Sequence, residues 1–127
     1  MSAKAEFRIG EAAALLGVSD DTVRRWIDQG RLAASGTPAT IPGVELAALA
    51  QKLGREQPES TSSARNRLTG IVTRVTKDTV MAQVELQAGP FRIVSLISRE
   101  AADELGLEPG VLATASVKAT TVGIDLA

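Results

Sequence analysis

The stretch GREQPESTSSA, residues 54–64, divides the chain. It is polar, carries Gly54 and Pro58, and shows no hydrophobic period, so it reads as a linker. Before it, apolar residues recur at helical spacing. After it, they alternate along β-branched runs. The 127 residues therefore form two modules of about 55 and about 65 residues, each at the small end for independent stability. At least one of them is expected to gain core by oligomerising. Neither half shows an internal repeat.

Working back from the linker, Ile9, Ala12, Ala13 and Leu16 fall on one face of a short helix, and Gly17 stops it. Ser19 stands where an N-cap is wanted, with Asp20 and Asp21 in the next turn, favourable to the helix dipole. Val23, Trp26 and Ile27 supply the apolar face of a second helix that ends near Gly30. Two short helices joined by a Gly-containing turn are a helix-turn-helix pattern. RLAASGTPATIPG, residues 31–43, reads as a small hairpin or wing turning at Ser35-Gly36, and Val44 to Leu53 as a third helix. Trp26 follows the apolar stripe and is assigned to the core.

Working forward, Leu68 to Thr76 alternates, with Ile71, Thr73 and Val75 expected on one face and Gly70, Val72 and Arg74 on the other. Lys77-Asp78 is a turn, Val80 to Leu86 a second strand, and Ala88-Gly89-Pro90 the next turn. Phe91 to Ile97 is a third strand. Ser98 caps a short helix stopped by Gly106. Val111 to Val117 is a fourth strand, and KATTVGIDL a loop followed by a last short strand.

Composition excludes several classes. There is no His and no Cys, which removes the usual ligands for zinc, copper and haem, Cys nucleophiles, His general bases and disulfides. No Asp or Glu clusters with a Ser or Thr nucleophile, so an enzyme is not expected, and no catalytic residue is assigned. No phosphate-binding Gly-rich loop with Lys-Ser/Thr is present, so no nucleotide is expected, nor a transport role for the chain alone. Lys plus Arg is 14 and Asp plus Glu 15, which excludes a polybasic mode of nucleic-acid binding. The start, MSAKAEFRIGE, lacks an apolar signal core, and no run approaches the roughly 20 apolar residues of a membrane span. The expected setting is the cytoplasm, without a membrane partner.

FRIGEAAALLGVSDDTVRRWIDQGRL resembles the MerR-type and excisionase-type winged helix-turn-helix, from Phe7 to about Leu53. The resemblance implies that the second helix enters the major groove and the wing touches phosphates. It implies DNA contacts by Arg24 and Arg25, phosphate contacts by Ser19 and Thr22, and a wing contact by Arg31. The sequence departs from the pattern at Asp20 and Asp21, which repel a nearby phosphate, and in a wing that retains mainly Arg31 as a base. Up to Gln57, Lys4, Arg8, Arg24, Arg25, Arg31, Lys52 and Arg55 are balanced by Glu6, Glu11, Asp20, Asp21, Asp28, Glu45 and Glu56. Nonspecific affinity per copy should be weak, and DNA binding would need several copies acting together.

SARNRLTG at Ser63 to Gly70, SREAADELGLEPG at Ser98 to Gly110 and VKATTVGI at Val117 to Ile124 together resemble the Mop or molbindin domain, also described as TOBE-type. The resemblance implies a five-stranded OB-like β-barrel with one short helix that associates further, a hexamer being favoured over a dimer or trimer, with tetrahedral oxyanions bound between subunits. The implied ligand is molybdate, with tungstate as an alternative and no metal cation bound directly. Such a dianion has no proton to donate at neutral pH, so its oxygens need hydroxyl, N–H and cationic donors. Motif by motif, the resemblance assigns Ser63, Arg65, Lys118, Ala119 and Thr120 to the anion, with Ser98 coming from a neighbouring subunit. Relatives often carry a further hydroxyl where this chain has Ala101. Asn66 is expected to cap local backbone.

The resulting expectation is an α+β protein. A helix-turn-helix over 1–54 is all-α with a small wing, a linker runs over 55–62, and a molybdate-binding barrel covers 63–127. The expected function is a molybdate- or tungstate-responsive, DNA-binding transcriptional regulator. The alternative is an oligomeric molybdate storage or homeostasis protein whose first module does not read DNA.

Overall fold

The computed structural model describes residues 5–55 and 62–127, with only the backbone of Arg55. The linker expected at 55–62 lies almost wholly outside the described residues. The chain forms two compact units, Met1–Glu59 and Ser60–Ala127. No helix among the described residues is long and apolar enough to cross a membrane.

In the first unit, α1 (Ile9–Leu16) begins where the Arg8 N–H donates to Glu11 Oε1 at 2.9 Å. It ends at Gly17, whose φ of 68° is the left-handed cap that glycine adopts without penalty. α2 (Asp20–Asp28) starts on Ser19, whose hydroxyl accepts the Thr22 N–H at 3.2 Å. β1 (Glu6–Arg8) pairs antiparallel with β2 (Thr40–Pro42), and α3 (Gly43–Arg55) follows directly. Ala12, Ala13, Val23, Trp26, Leu32, Ile41, Leu46 and Leu49 form one buried cluster. The small alanines of α1 let the helices approach closely.

The wing differs from a local hairpin. Ser35 and Thr40 do bridge, with reciprocal N–H to carbonyl bonds of 3.0 and 2.9 Å. The main partner of β2 is nevertheless β1, which precedes the first helix, so that Phe7 faces Ile41 across the pair. A three-residue strand is too short to announce itself by alternation.

The second unit is built on β3 (Asn66–Lys77), β4 (Met81–Ala88), β5 (Phe91–Ser98) and β6 (Leu112–Val117), an antiparallel sheet in the order β5-β4-β3-β6. α4 (Arg99–Glu104) follows β5 and buries Ala102. A 3₁₀ turn over Ala119–Thr121 follows β6. The closed five-stranded barrel expected from the resemblance is not formed. The sheet is a curled, open half-barrel of four strands, and the expected last strand is absent. Within the described chain, no backbone hydrogen bond is made beyond Val122, and Ile124 and Leu126 are 88 % and 101 % exposed. The tail has strand-like alternation but pairs with no strand among the described residues.

Two local features shape β3. Gly70 crosses β4 so closely that a Cβ would lie 2.0 Å from the Gln87 carbonyl oxygen. A register shift between Val72 and Arg74 marks a β-bulge at Thr73. The bulge corrects the expected face assignment. Val72 and Val75 both pack on the core side, while Ile71 is 47 % exposed. One extra residue reverses the alternation beyond it.

Candidate functional site

Two turns of chain meet at one end of the β3–β6 ladder. Asn66 pairs with Val117 in register, so the segment entering β3 and the segment leaving β6 are neighbours. Exposure alternates along the first: Ser63 and Arg65 are exposed, Ala64 is buried and Asn66 half-buried. Lys118, Ala119 and Thr120 are exposed on the second. Thr121 closes the 3₁₀ turn by donating its N–H and its hydroxyl to the Lys118 carbonyl, at 3.0 and 2.8 Å. The turn leaves the N–H groups of Ala119 and Thr120 without an acceptor within the described chain.

The charges at this end are uncompensated. Ion pairs among the described residues join Arg24 to Asp21, Arg74 and Arg92 to Glu85, and Lys77 and Arg99 to Asp103. Arg65, Arg67 and Lys118 take part in none of them. Arg67 lies outside the set expected from the motif. Its signal was its i,i+2 spacing from Arg65, which puts both on the same exposed face.

Ser98 stands elsewhere. It pairs with Met81, at the end of the sheet where Lys77 faces Ala82. That is the far end of β3 from Asn66, roughly 36 Å along an extended strand at ~3.3 Å per residue. Its hydroxyl accepts the Ala101 N–H at 3.0 Å and caps α4, a helix of 6 residues. Within one chain, Ser98 does not meet the other expected residues.

The opposite end of the sheet is electrostatically closed. Lys77 Nζ lies 2.5 Å from Asp103 Oδ1. This hydrogen bond is the main cause holding the Asp103 carboxyl below its ordinary value. Asp78 Oδ1 accepts the N–H groups of Val80 and Met81 at 2.8 and 2.7 Å. The Met81 bond, then the Val80 bond, lower its pKa. Midway along, Glu85 is 9 % exposed and accepts from Arg92 Nε at 2.7 Å.

In the first unit, Arg24 and Arg25 are exposed on α2. Arg24 lies 3.4 Å from Asp21, an exposed pair of little energetic weight. Arg25 has no ion pair among the described residues. The Arg31 guanidinium sits 5.8 Å from the ring centroid of Trp26, a cation–π distance. The ring itself is 7 % exposed and belongs to the core. The Ser19 and Thr22 hydroxyls are 3.0 Å apart and are engaged with the start of α2. No group of His, Cys, Asp or Glu among the described residues could hold a metal ion.

Two family models match the chain. The family model described as the TOBE domain matches residues 62–124. The model described as a helix-turn-helix domain matches residues 6–54. Molybdenum-pterin-binding protein 2 of Clostridium pasteurianum is 46 % identical over 63 residues, covering 49 % of this chain and 93 % of that protein. Molybdenum-pterin-binding protein MopA of Rhodobacter capsulatus is 42 % identical over 86 residues, covering 64 % of this chain but 32 % of MopA. The high-resolution structure of a molybdate binding protein from Sporomusa ovata superposes with a TM-score of 0.51 at 33 % identity, covering 53 % of this chain and all of that one. The fold and the site thus define a small antiparallel β module that follows a helix-turn-helix module in the chain. The chain belongs to the TOBE-domain family, in a form that joins the molbindin-like domain to an N-terminal helix-turn-helix domain.

Proposed function

We propose that this chain is an oligomeric oxyanion-binding protein of molybdate homeostasis, taking up molybdate or the isosteric tungstate. The observation that carries this reading is the end of the β3–β6 ladder. There, among the described residues, Arg65 and Lys118 lack carboxylate partners and flank the unaccepted N–H groups of Ala119 and Thr120. A tetrahedral dianion accepts from all of these and donates to none. The Ser63 and Thr120 hydroxyls complete the set from one subunit, and the Ser98 hydroxyl joins only from a second copy. The names of the C. pasteurianum and S. ovata relatives support molybdenum as the element concerned. The binding module is taken as residues 63–127, the first module as 1–54 and the linker as 55–62. The open half-barrel and the exposed apolar tail support a homo-oligomer, with a hexamer as the favoured size. The protein acts in the cytoplasm.

The test is thermal melting of the full chain with molybdate, tungstate and sulfate at millimolar excess. A ligand at about 1,000 times its dissociation constant stabilises by roughly 4 kcal/mol per site. A rise with molybdate but not sulfate, lost in Arg65→Ala and Lys118→Ala, is expected. No rise with any oxyanion overturns the reading.

A second reading, a molybdate-responsive DNA-binding regulator, is favoured by the helix-turn-helix match over residues 6–54 and by Arg25, which has no ion pair among the described residues. In it, Ser19, Thr22, Arg24, Arg25 and Arg31 contact DNA. Arg24 must leave Asp21 to do so, and Ser19 serves both helix cap and phosphate. DNA binding that falls steeply with salt, and vanishes in Arg24→Ala with Arg25→Ala, distinguishes this from storage alone.

A further inference from the structure

Ser63 and Arg65 face solvent because their neighbours turn inward. Ala64 is 7 % exposed, and its N–H is held by Ser62 Oγ at 3.1 Å. Asn66 is half-buried, and its side-chain Nδ2 donates to the Val117 carbonyl at 3.1 Å. That carbonyl belongs to the peptide bond that leads into Lys118. One amide side chain therefore ties the end of the Ser63–Arg65 segment to the peptide immediately before the Lys118 turn.

We infer that Asn66 is a positioning residue of the oxyanion site, which sets the separation of its two cationic segments by clamping the Val117–Lys118 peptide. The inference rests on the oxyanion reading above. Arg65 and Lys118 carry like charges and repel each other while no anion lies between them. The backbone ladder holds Asn66 against Val117, but it ends there, and among the described residues no backbone hydrogen bond joins the segments beyond. The Asn66 amide adds a cross-link at that last rung. A site held open at the right width loses less freedom when the anion arrives, so affinity rises without a direct contact.

The experiment is calorimetric titration of the full chain with sodium molybdate, beside apo melting temperatures, for four single variants and for Arg65→Ala and Lys118→Ala in the parent and Asn66→Ala backgrounds. Asn66→Ala removes the clamp. Asn66→Ser leaves a small polar group too short to reach the carbonyl, and guards against loss of folding. Asn66→Asp cannot donate and repels both the carbonyl and the anion. Thr69→Val is the control, because it breaks the 2.8 Å Thr69–Thr114 hydroxyl contact in the same two strands without touching the site.

Asn66→Ala and Asn66→Ser are expected to weaken molybdate at least tenfold, and Asn66→Asp further. Thr69→Val should lower the melting temperature while binding like the parent. Arg65→Ala and Lys118→Ala should each lose less affinity in the Asn66→Ala background than in the parent, since the two cations no longer converge. Equal binding by Asn66→Ala and the parent overturns the inference. So does an equal loss in Thr69→Val, or strict additivity of the double variants. A parent chain that binds no molybdate instead overturns the oxyanion reading on which the inference stands.

Discussion

At the scale of single residues, Gly70 shows how backbone approach selects a side chain. Any Cβ there would overlap the Gln87 carbonyl at 2.0 Å, and Gln87 is held in register by Ile71, the next residue of β3. Gly70→Ala is expected to destabilise the second unit by about 3 kcal/mol or more, at the upper end of overpacking costs. Urea denaturation of the full chain checks it, and a shift under about 1 kcal/mol would mean that β4 gives way easily. The sequence carries this glycine openly, but nothing local tells it from a glycine that merely weakens a strand. Asn66 is similar. It was legible as a backbone-capping residue, but its acceptor lies 51 positions away.

At the scale of elements, the β3–β4 turn is an acid-sensitive joint. Asp78 accepts two turn N–H groups and Asp103 accepts from Lys77. Both carboxyls are held below their ordinary value of 3.8. Their ionised forms are bound more tightly in the folded chain than in the unfolded one. Their contribution is therefore complete above about pH 3.8 and is lost as the pH falls through the lower folded values. Asp78→Asn should flatten the acid limb of a plot of urea midpoint against pH. An unchanged limb would assign acid sensitivity to other carboxylates. The helices of the first unit were legible at this scale, since Ser19 and Gly17 are caps that act within four residues. The β-bulge at Thr73 was not, because it is defined by what β4 opposes to it.

At the scale of the whole molecule, the two cores are unequal. Eight residues form the buried cluster of the first unit, and Val72, Val84 and Leu86 form that of the second. The second unit leaves a cavity of about 590 Å³ lined by Leu86, Ile93, Val111 and Ala113. Its own tail, with Ile124 and Leu126 fully exposed, does not fill it. Apolar surface of this kind is worth about 1.5–3 kcal/mol per large side chain once buried, and in the proposed homo-oligomer a second copy would cover it. Ile124→Asp with Leu126→Asp is expected to reduce the assembly mass in sedimentation velocity and to weaken molybdate, since the proposed site takes Ser98 from a second copy. An unchanged mass would show that the subunits join through another face.

The sequence by itself determined what depends on neighbours a few positions apart: the two modules, the helix caps, the turns, and the motifs that place the chain in its family. Only the tertiary structure decided the β1–β2 pairing, the bulge that turns Ile71 outward, the clamp of Asn66 on Val117, and the separation of Ser98 from Lys118. These rest on contacts between residues far apart in the chain, where register and close approach select among patterns that look alike locally. The open barrel is the clearest instance. The tail alternates as a strand should, but a strand forms only when it docks on an edge, and among the described residues the tail docks on neither edge of the sheet.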